Sequence, residues 1–296
     1  PIDHRSPGGY SGPVNYISMV VAYKEGPHST TPLRICMNSS LKQPAPVGKS
    51  LNDCLMKGPA ALADLFTVTL GIREHAVAFT KDLSKFYQSV NADLTAQHLR
   101  RVVWRDGDLS KEPSTYVTTK VNYGDKPAGC IAIAAVRLTA EKHGKGMEEA
   151  AWLLRHRTYV DDATGGGASL QEACKLSTEM EKIVEQGGFS FKDTVMSGDP
   201  NPASGKLRKV LGLYWDTETD TLGIDVKVNY EGKKKGALIA PNADLSEWLS
   251  GMPESLTRRS LWRIAQGQYD PLGLICTYMI RWKLLMREVT LINPTG

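Results

Sequence analysis

Among the 296 residues, the side chains best suited to chemistry are three aspartates: Asp82 and the adjacent pair Asp161-Asp162. Asp82 follows an apolar run, Ala76-Val77-Ala78-Phe79-Thr80, that reads as a short buried strand. Asp161 and Asp162 follow Tyr159-Val160 at the acidic tip of a hairpin pattern from Arg155 to Gly167, with three glycines behind. A strand end and a hairpin tip can be neighbours in one sheet, so carboxylates remote in sequence can share one metal cluster. Phosphoryl transfer of the nucleotidyl type asks for such a cluster: one Mg²⁺ lowers the pKa of an attacking 3′-hydroxyl, and a second holds the triphosphate and the leaving pyrophosphate. Mg²⁺ takes hard oxygen ligands and keeps positions open for substrate oxygens, so few protein carboxylates suffice. By type and spacing alone the same aspartates also suit ordinary turns; the strings around them decide.

The elements that must position them follow from periodicity. The first 58 residues are rich in Pro, Gly and Ser, with short β-like runs such as Ile17 to Tyr23. Gly58-Pro59 opens a helical pattern with Leu62, Leu65, Phe66, Thr69 and Ile72 on one face. A second helical pattern runs through Leu94, Leu99, Val102 and Val103, and the small residues from Cys130 to Ala135 predict a closely packed helix continuing to His143. The clearest helix starts at Ser169, with Glu172 three residues on as a capping box. Leu176, Met180, Ile183 and Val184 form its apolar stripe, and Gly187-Gly188 ends it. Val210 to Trp215 reads as a strand, Thr219 to Val228 as a hairpin, and the chain from Ser246 onward as helical, with Trp248, Trp262 and Trp282 as packing residues. Strands alternating irregularly with helices, with hairpins among them, favour an α+β fold.

Composition narrows the class. Apolar residues at 41 % and charged residues at 23 % are globular values. No stretch nears the roughly 20 apolar residues of a membrane span, so a soluble protein with no membrane partner is expected. The sequence opens at Pro1 without a basic-then-apolar leader, which suggests a fragment of something longer. Five scattered cysteines without a Cys-x-x-Cys pair argue against a zinc site or disulfide framework and for a reducing compartment. The net charge of +4 is mild. Basic clusters at Arg100, Arg101 and Arg105, at Lys206, Arg208 and Lys209, and at Lys233 to Lys235 suit either phosphate tracking or a solvated face.

Tyr159-Val160-Asp161-Asp162 resembles the Tyr-x-Asp-Asp signature of reverse transcriptases, and Asp82 with Tyr87 five residues later resembles the first catalytic strand of that family. Longer strings narrow the resemblance to the Bel/Pao class of long-terminal-repeat retrotransposons, as part of a pol polyprotein. They are Leu33-Arg34-Ile35-Cys36-Met37-Asn38-Ser39-Ser40, the run Ser50 to Pro59, Phe79-Thr80-Lys81-Asp82-Leu83-Ser84-Lys85-Phe86-Tyr87, and Tyr269-Asp270-Pro271-Leu272-Gly273-Leu274. The matching blocks stand in family order from about 15 to about 290.

The resemblance implies a right-hand polymerase with an antiparallel palm sheet. Fingers would span 1–75, palm 76–230 with inserted fingers-side helices at about 90–145, and a thumb- or connection-like helical region 231–296. It implies Asp82 and Asp161 as metal ligands with Asp162 as the third, two Mg²⁺ ions with Mn²⁺ as a substitute, and Lys192 as the acid that protonates pyrophosphate. Lys24 and Arg34 would grip the triphosphate of a deoxynucleotide, with Leu83 and Gly124 also at the nucleotide. Tyr87 would be the ring that clashes with a ribose 2′-hydroxyl. Tyr159 would lie beneath the primer terminus, and Leu213, Tyr214 and Trp215 would belong to a primer-grip strand. Tyr87, Lys192 and the Leu211–Trp215 strand also suit a buried junction tyrosine, a surface lysine and a core strand.

The loop Tyr123-Gly124-Asp125-Lys126-Pro127-Ala128-Gly129 departs from the family pattern: Gly124 fits, the later Ser-Pro is absent, and Lys126-Pro127 comes early. The implied activity is RNA-templated DNA synthesis on a primed RNA or DNA template. RNase H, protease and integrase regions would lie in the same polyprotein, within cytoplasmic virus-like particles. The rival expectations are a degenerate or domesticated copy that only binds nucleic acid, and a structural part of a retroelement polyprotein.

Overall fold

The computed structural model describes residues 9–23, 33–199, 207–224, 244, 246, 249 and 252–292. The chain divides into two compact units: 1–63, 81–165 and 174–194 form the first, and 64–80, 166–173 and 195–296 the second.

The first unit opens on a hairpin in which β1 (Ser18–Tyr23) pairs antiparallel with β2 (Leu33–Asn38), from Ser18↔Asn38 to Tyr23↔Leu33. A single turn, α1 (Leu51–Cys54), follows. Its capping box is complete: Ser50 Oγ accepts from the Asp53 amide at 3.2 Å, and the Asp53 carboxylate accepts from the Ser50 amide at 2.9 Å. The second helical pattern of the sequence breaks early. Asp93 caps a short α3 (Leu94–His98), and Val102 and Val103 lie instead in β4 (Arg101–Trp104), paired with β5 (Ser114–Val117). The β-branched pair, with Trp104 beyond it, packs better on a pleated strand than on a helix.

Three helices carry buried faces. α4 (Ala128–His143) and α5 (Glu148–His156) bury Ala132, Val136, Ala140, Ala150 and Leu154. α6 (Leu170–Gln186) buries its expected stripe of Leu176, Met180, Ile183 and Val184. Its cap differs slightly from expectation. Ser169 Oγ accepts from the Glu172 amide, but the Glu172 carboxylate accepts from Ala168 rather than Ser169. Gly188 ends the helix at φ +77°, a conformation suited to glycine.

The aspartates belong to a four-stranded sheet of order β6-β7-β3-β8, where β3 is Val77–Asp82, β6 Thr158–Tyr159, β7 Asp162–Gly167 and β8 Val195–Met196. The pairings of β6 with β7 and of β3 with β8 are antiparallel.

In the second unit α2 (Leu65–Gly71) begins later than the sequence suggests, because the Asp64 carboxylate caps the Thr67 amide at 2.7 Å. Thr69 and Ile72 are buried, whereas Leu62 and Phe66 are exposed. The run Val210–Trp215 is not one strand. β9 (Leu207–Val210) turns at Leu211-Gly212 (φ +50° and +85°) into β10 (Leu213–Asp216), and β11 (Thr221–Gly223) pairs on the far side of β10. Two consecutive positive φ values make the tight hairpin turn whose twist suits antiparallel strands. The rest of the Thr219–Val228 hairpin lies outside the described residues, as does Trp248. Helices α7 (Arg258–Gln266) and α8 (Cys276–Ile292) follow; Trp282 packs on their buried Leu261, Ala265 and Met286, but Trp262 is exposed.

Candidate active site

All three aspartates belong to the first unit. β3 is anchored by Ala78 and Phe79, both fully buried, and delivers Asp82 at its last position. In the β6–β7 hairpin Thr158 pairs with Ala163 and Tyr159 with Asp162, which leaves Val160-Asp161 as a two-residue turn with Val160 at φ +58°. The glycines of β7 allow close strand approach: a Cβ on Gly166 would collide with the Val77 carbonyl and the His75 side chain.

Backbone hydrogen bonds then fix the segment after β3. The Leu83 amide donates to the Asp161 carbonyl, the Lys192 amide to the Asp82 carbonyl, and the Ser84 amide to the Ser190 carbonyl, each at 2.8 Å. Lys192 Nζ also ion-pairs with Asp82 Oδ1 at 2.7 Å.

Burial and mutual repulsion set the electrostatics. Burial, then the Asp82 charge, pushes the Asp161 carboxyl above its ordinary range, with Lys192 opposing. Asp162 is pushed up to about 7, by burial first and then by Asp161 and Asp82. The Tyr87 phenol is also raised, by burial and then by the Asp161 charge. Hard carboxylate oxygens that repel one another are donors of the kind a divalent cation neutralises. Among the described residues, no three His, Cys, Asp or Glu side chains already stand as a ligand group, and Asp82 faces Lys192 instead.

The structure therefore brings Asp82, Asp161, Asp162, Lys192 and Tyr87 together. Tyr159 sits beside them, paired to Asp162. Leu83 contributes its amide to Asp161, while its side chain is core at 1 % exposure.

Gly124 lies in a separate loop. Its φ of +104° and the Met37 carbonyl, 2.9 Å from where a Cβ would stand, require glycine. Asn52 fastens that loop by donating to the Gly124 carbonyl and accepting from the Lys126 amide, and Asp125 is buried against Arg100 Nε and Ser39 Oγ. Arg100 and Arg101, which the sequence offered as a basic face, are both buried; Arg101 donates to His98 Nδ1. Leu213, Tyr214 and Trp215 belong to the second unit. Leu213 and Trp215 are core, the Trp215 indole donating to Asp220 at 2.8 Å, while Tyr214 alternates to the other face beneath Lys209. Arg34 is in β2, and Lys24 lies outside the described residues.

One residue beside the site was given no role by its sequence. Lys81 is 1 % exposed; its Nζ binds Glu181 at 2.5 Å and Ser177 Oγ at 2.8 Å and lies over the Phe191 ring. It ties β3 to α6 one residue before Asp82. A lysine between Thr80 and Asp82 looks solvated in sequence, and its partner Glu181 falls on a helix that only the fold brings near.

No family model and no curated protein matches the chain. Solved structures do. A foamy viral protease-reverse transcriptase in complex with an RNA/DNA hybrid matches at a TM-score of 0.51 and 13 % identity, over 86 % of this chain and 27 % of its own. A foamy viral protease-reverse transcriptase in complex with double-stranded DNA matches at 0.53 and 13 % identity, over 85 % of this chain and 35 % of its own. This chain thus spans about a third or less of those proteins, and at that identity the likeness speaks for fold. The protein has a reverse-transcriptase-like fold.

Proposed function

We propose that the chain is the RNA-directed DNA polymerase core of a Bel/Pao-type retrotransposon. The observation that carries this reading is the convergence of Asp82 with Asp161-Asp162, mutually repelling and flanked by Lys192, within a reverse-transcriptase-like fold. In this reading 1–75 are fingers, 76–230 palm and 231–296 thumb.

Asp82 and Asp161 would hold the metal, with Asp162 as the third ligand. Mg²⁺, when bound, supplies an acidified primer 3′-hydroxyl and charge neutralisation of the triphosphate. The primer 3′-hydroxyl would give its proton to water as its oxygen forms a bond to the α-phosphorus, the bond to pyrophosphate would break, and Lys192 would give a proton to the leaving oxygen. Arg34 and Lys24 orient the deoxynucleoside triphosphate, Tyr87 excludes the 2′-hydroxyl, and Tyr159 and Tyr214 meet the primer. RNase H, protease and integrase would be parts of the same polyprotein, working in an intracellular particle.

Primer extension on an RNA template tests the reading. The wild type should give Mg²⁺-dependent product, and Asp161→Asn should lose at least about 10³-fold, since a metal ligand carries several kcal/mol of transition-state stabilisation. Absence of product, or equal product from the mutant, overturns it.

A further inference from the structure

Beyond the carboxylates, the first unit carries a second concentration of chemistry at α4 and α5. Trp152 is 43 % exposed. The His156 ring lies 5.1 Å from its ring, and the Arg157 guanidinium stands over the indole at 5.5 Å. Arg137 enters from α4 and lines a small cavity with Leu154, Thr158 and Val160. Arg155, Arg137 and Arg157 all act on the His156 imidazole, which burial and then these three charges keep below its usual pKa. The positive charge of the patch therefore belongs to the three arginines.

Glu148 shares α5 with Arg155, and Glu141 shares α4 with Arg137. The Glu148 carboxylate, one turn before Trp152, accepts from the Gly146 amide at 2.8 Å. Among the described residues neither Arg137 nor Arg155 forms an ion pair, although Glu141 stands one turn from Arg137. Arg155 Nε donates to the Ala151 carbonyl of its own helix.

An exposed indole among guanidinium groups is the pairing that sequence-tolerant single-strand binding uses: a base stacks on the ring while the cations meet phosphates. The patch also leads straight into the hairpin, since Arg157 directly precedes β6. At about 3.3 Å per residue, the strand and turn put Arg157 no more than about 13 Å from Asp161. We propose that Trp152, Arg137, Arg155 and Arg157 form an accessory contact for single-stranded nucleic acid, distinct from the carboxylate site. The choice of ligand rests on the polymerase reading; the charge and the exposed ring do not.

Fluorescence anisotropy of the full chain with labelled oligo(dT), over a range of salt, tests it. Trp152→Ala should weaken binding by about 5- to 160-fold, the range for loss of one stacked base, and Trp152→Phe should restore most of it. Arg137→Gln with Arg155→Gln should lower the slope of log affinity against log salt by about 0.7 for each phosphate no longer neutralised. Asp161→Asn should keep the binding. Wild-type affinity and salt slope in the patch variants overturn the proposal, as does displacement of oligo(dT) by polyglutamate at equal charge, which would mark a site for acidic protein. Primer extension with the same preparations separates the two readings. Weakened binding in the variants of a chain that never extends a primer supports this contact and removes only the polymerase reading. Normal extension with unaltered binding removes only the contact.

Discussion

Lys192 holds Asp82 twice: its amide donates to the Asp82 carbonyl at 2.8 Å and its ammonium pairs with Asp82 Oδ1 at 2.7 Å. Both side chains remain about half exposed, so the pair adds at most about 1 kcal/mol to stability. Its effect is electrostatic, because the same ammonium lowers the pKa of Asp161 and of Asp162.

Lys192→Gln should therefore leave the unfolding midpoint almost unchanged while slowing extension by about 10²–10⁴-fold, the usual worth of general-acid help. Without the ammonium the carboxyls ionise only at higher pH. The acid limb of the rate profile should move up in pH, and an unmoved limb would count against a link between Lys192 and the carboxylates.

Asp162 makes stability depend on pH in a defined direction. Its carboxyl rises from 3.8 to about 7 on folding, so the folded state binds the proton more tightly. That contribution is complete below the unfolded value and is lost as pH rises through about 7. In EDTA at pH 8, Asp162→Asn should be more stable than the wild type, by no more than about 4 kcal/mol. At pH 3.5 the two should unfold alike. Denaturant titrations at both pH values check this, and a mutant less stable at pH 8 contradicts it.

Tyr87→Ala should admit ribonucleotides. Relief of a clash at a single hydroxyl is worth about 10- to 200-fold in relative kcat/KM. Single-nucleotide incorporation with matched ribo- and deoxyribonucleotides reads the ratio, and unchanged selectivity would leave Tyr87 as a packing residue beside Phe86.

The Lys81–Glu181 pair is asymmetric, with the lysine side chain fully buried and the glutamate 42 % exposed. Glu181→Gln strands a buried ammonium and should cost about 3–5 kcal/mol. Lys81→Met leaves a carboxylate that water can reach and should cost clearly less. Urea unfolding of both variants should show that order; the reverse would mean that Lys81 is stabilised chiefly by Ser177 and Phe191.

Long periodic segments were legible in the sequence. α4, the stripe of α6 and the strand ending in Asp82 follow from local pattern, and the quoted strings singled out the aspartates that the fold brings together. Features decided by tertiary partners were not. Val210–Trp215 is an unbroken run of strand formers around one glycine, and only the positive φ at both Leu211 and Gly212 reveals the turn. Arg100 looks like a surface charge until Asp125 is placed beside it. Lys81 finds Glu181 only through α6, and Arg137 joins Trp152, Arg155 and Arg157 only through the packing of α4 on α5.

Val160 has a consequence of its own. A β-branched residue in the left-handed region costs about 1–2 kcal/mol, and glycine or asparagine would sit there more easily. This strained residue directly precedes Asp161, the first of the two paired carboxylates. Engineering for thermal tolerance would be drawn to position 160 first, and any ease gained there would be repaid as slack in Asp161 and Asp162.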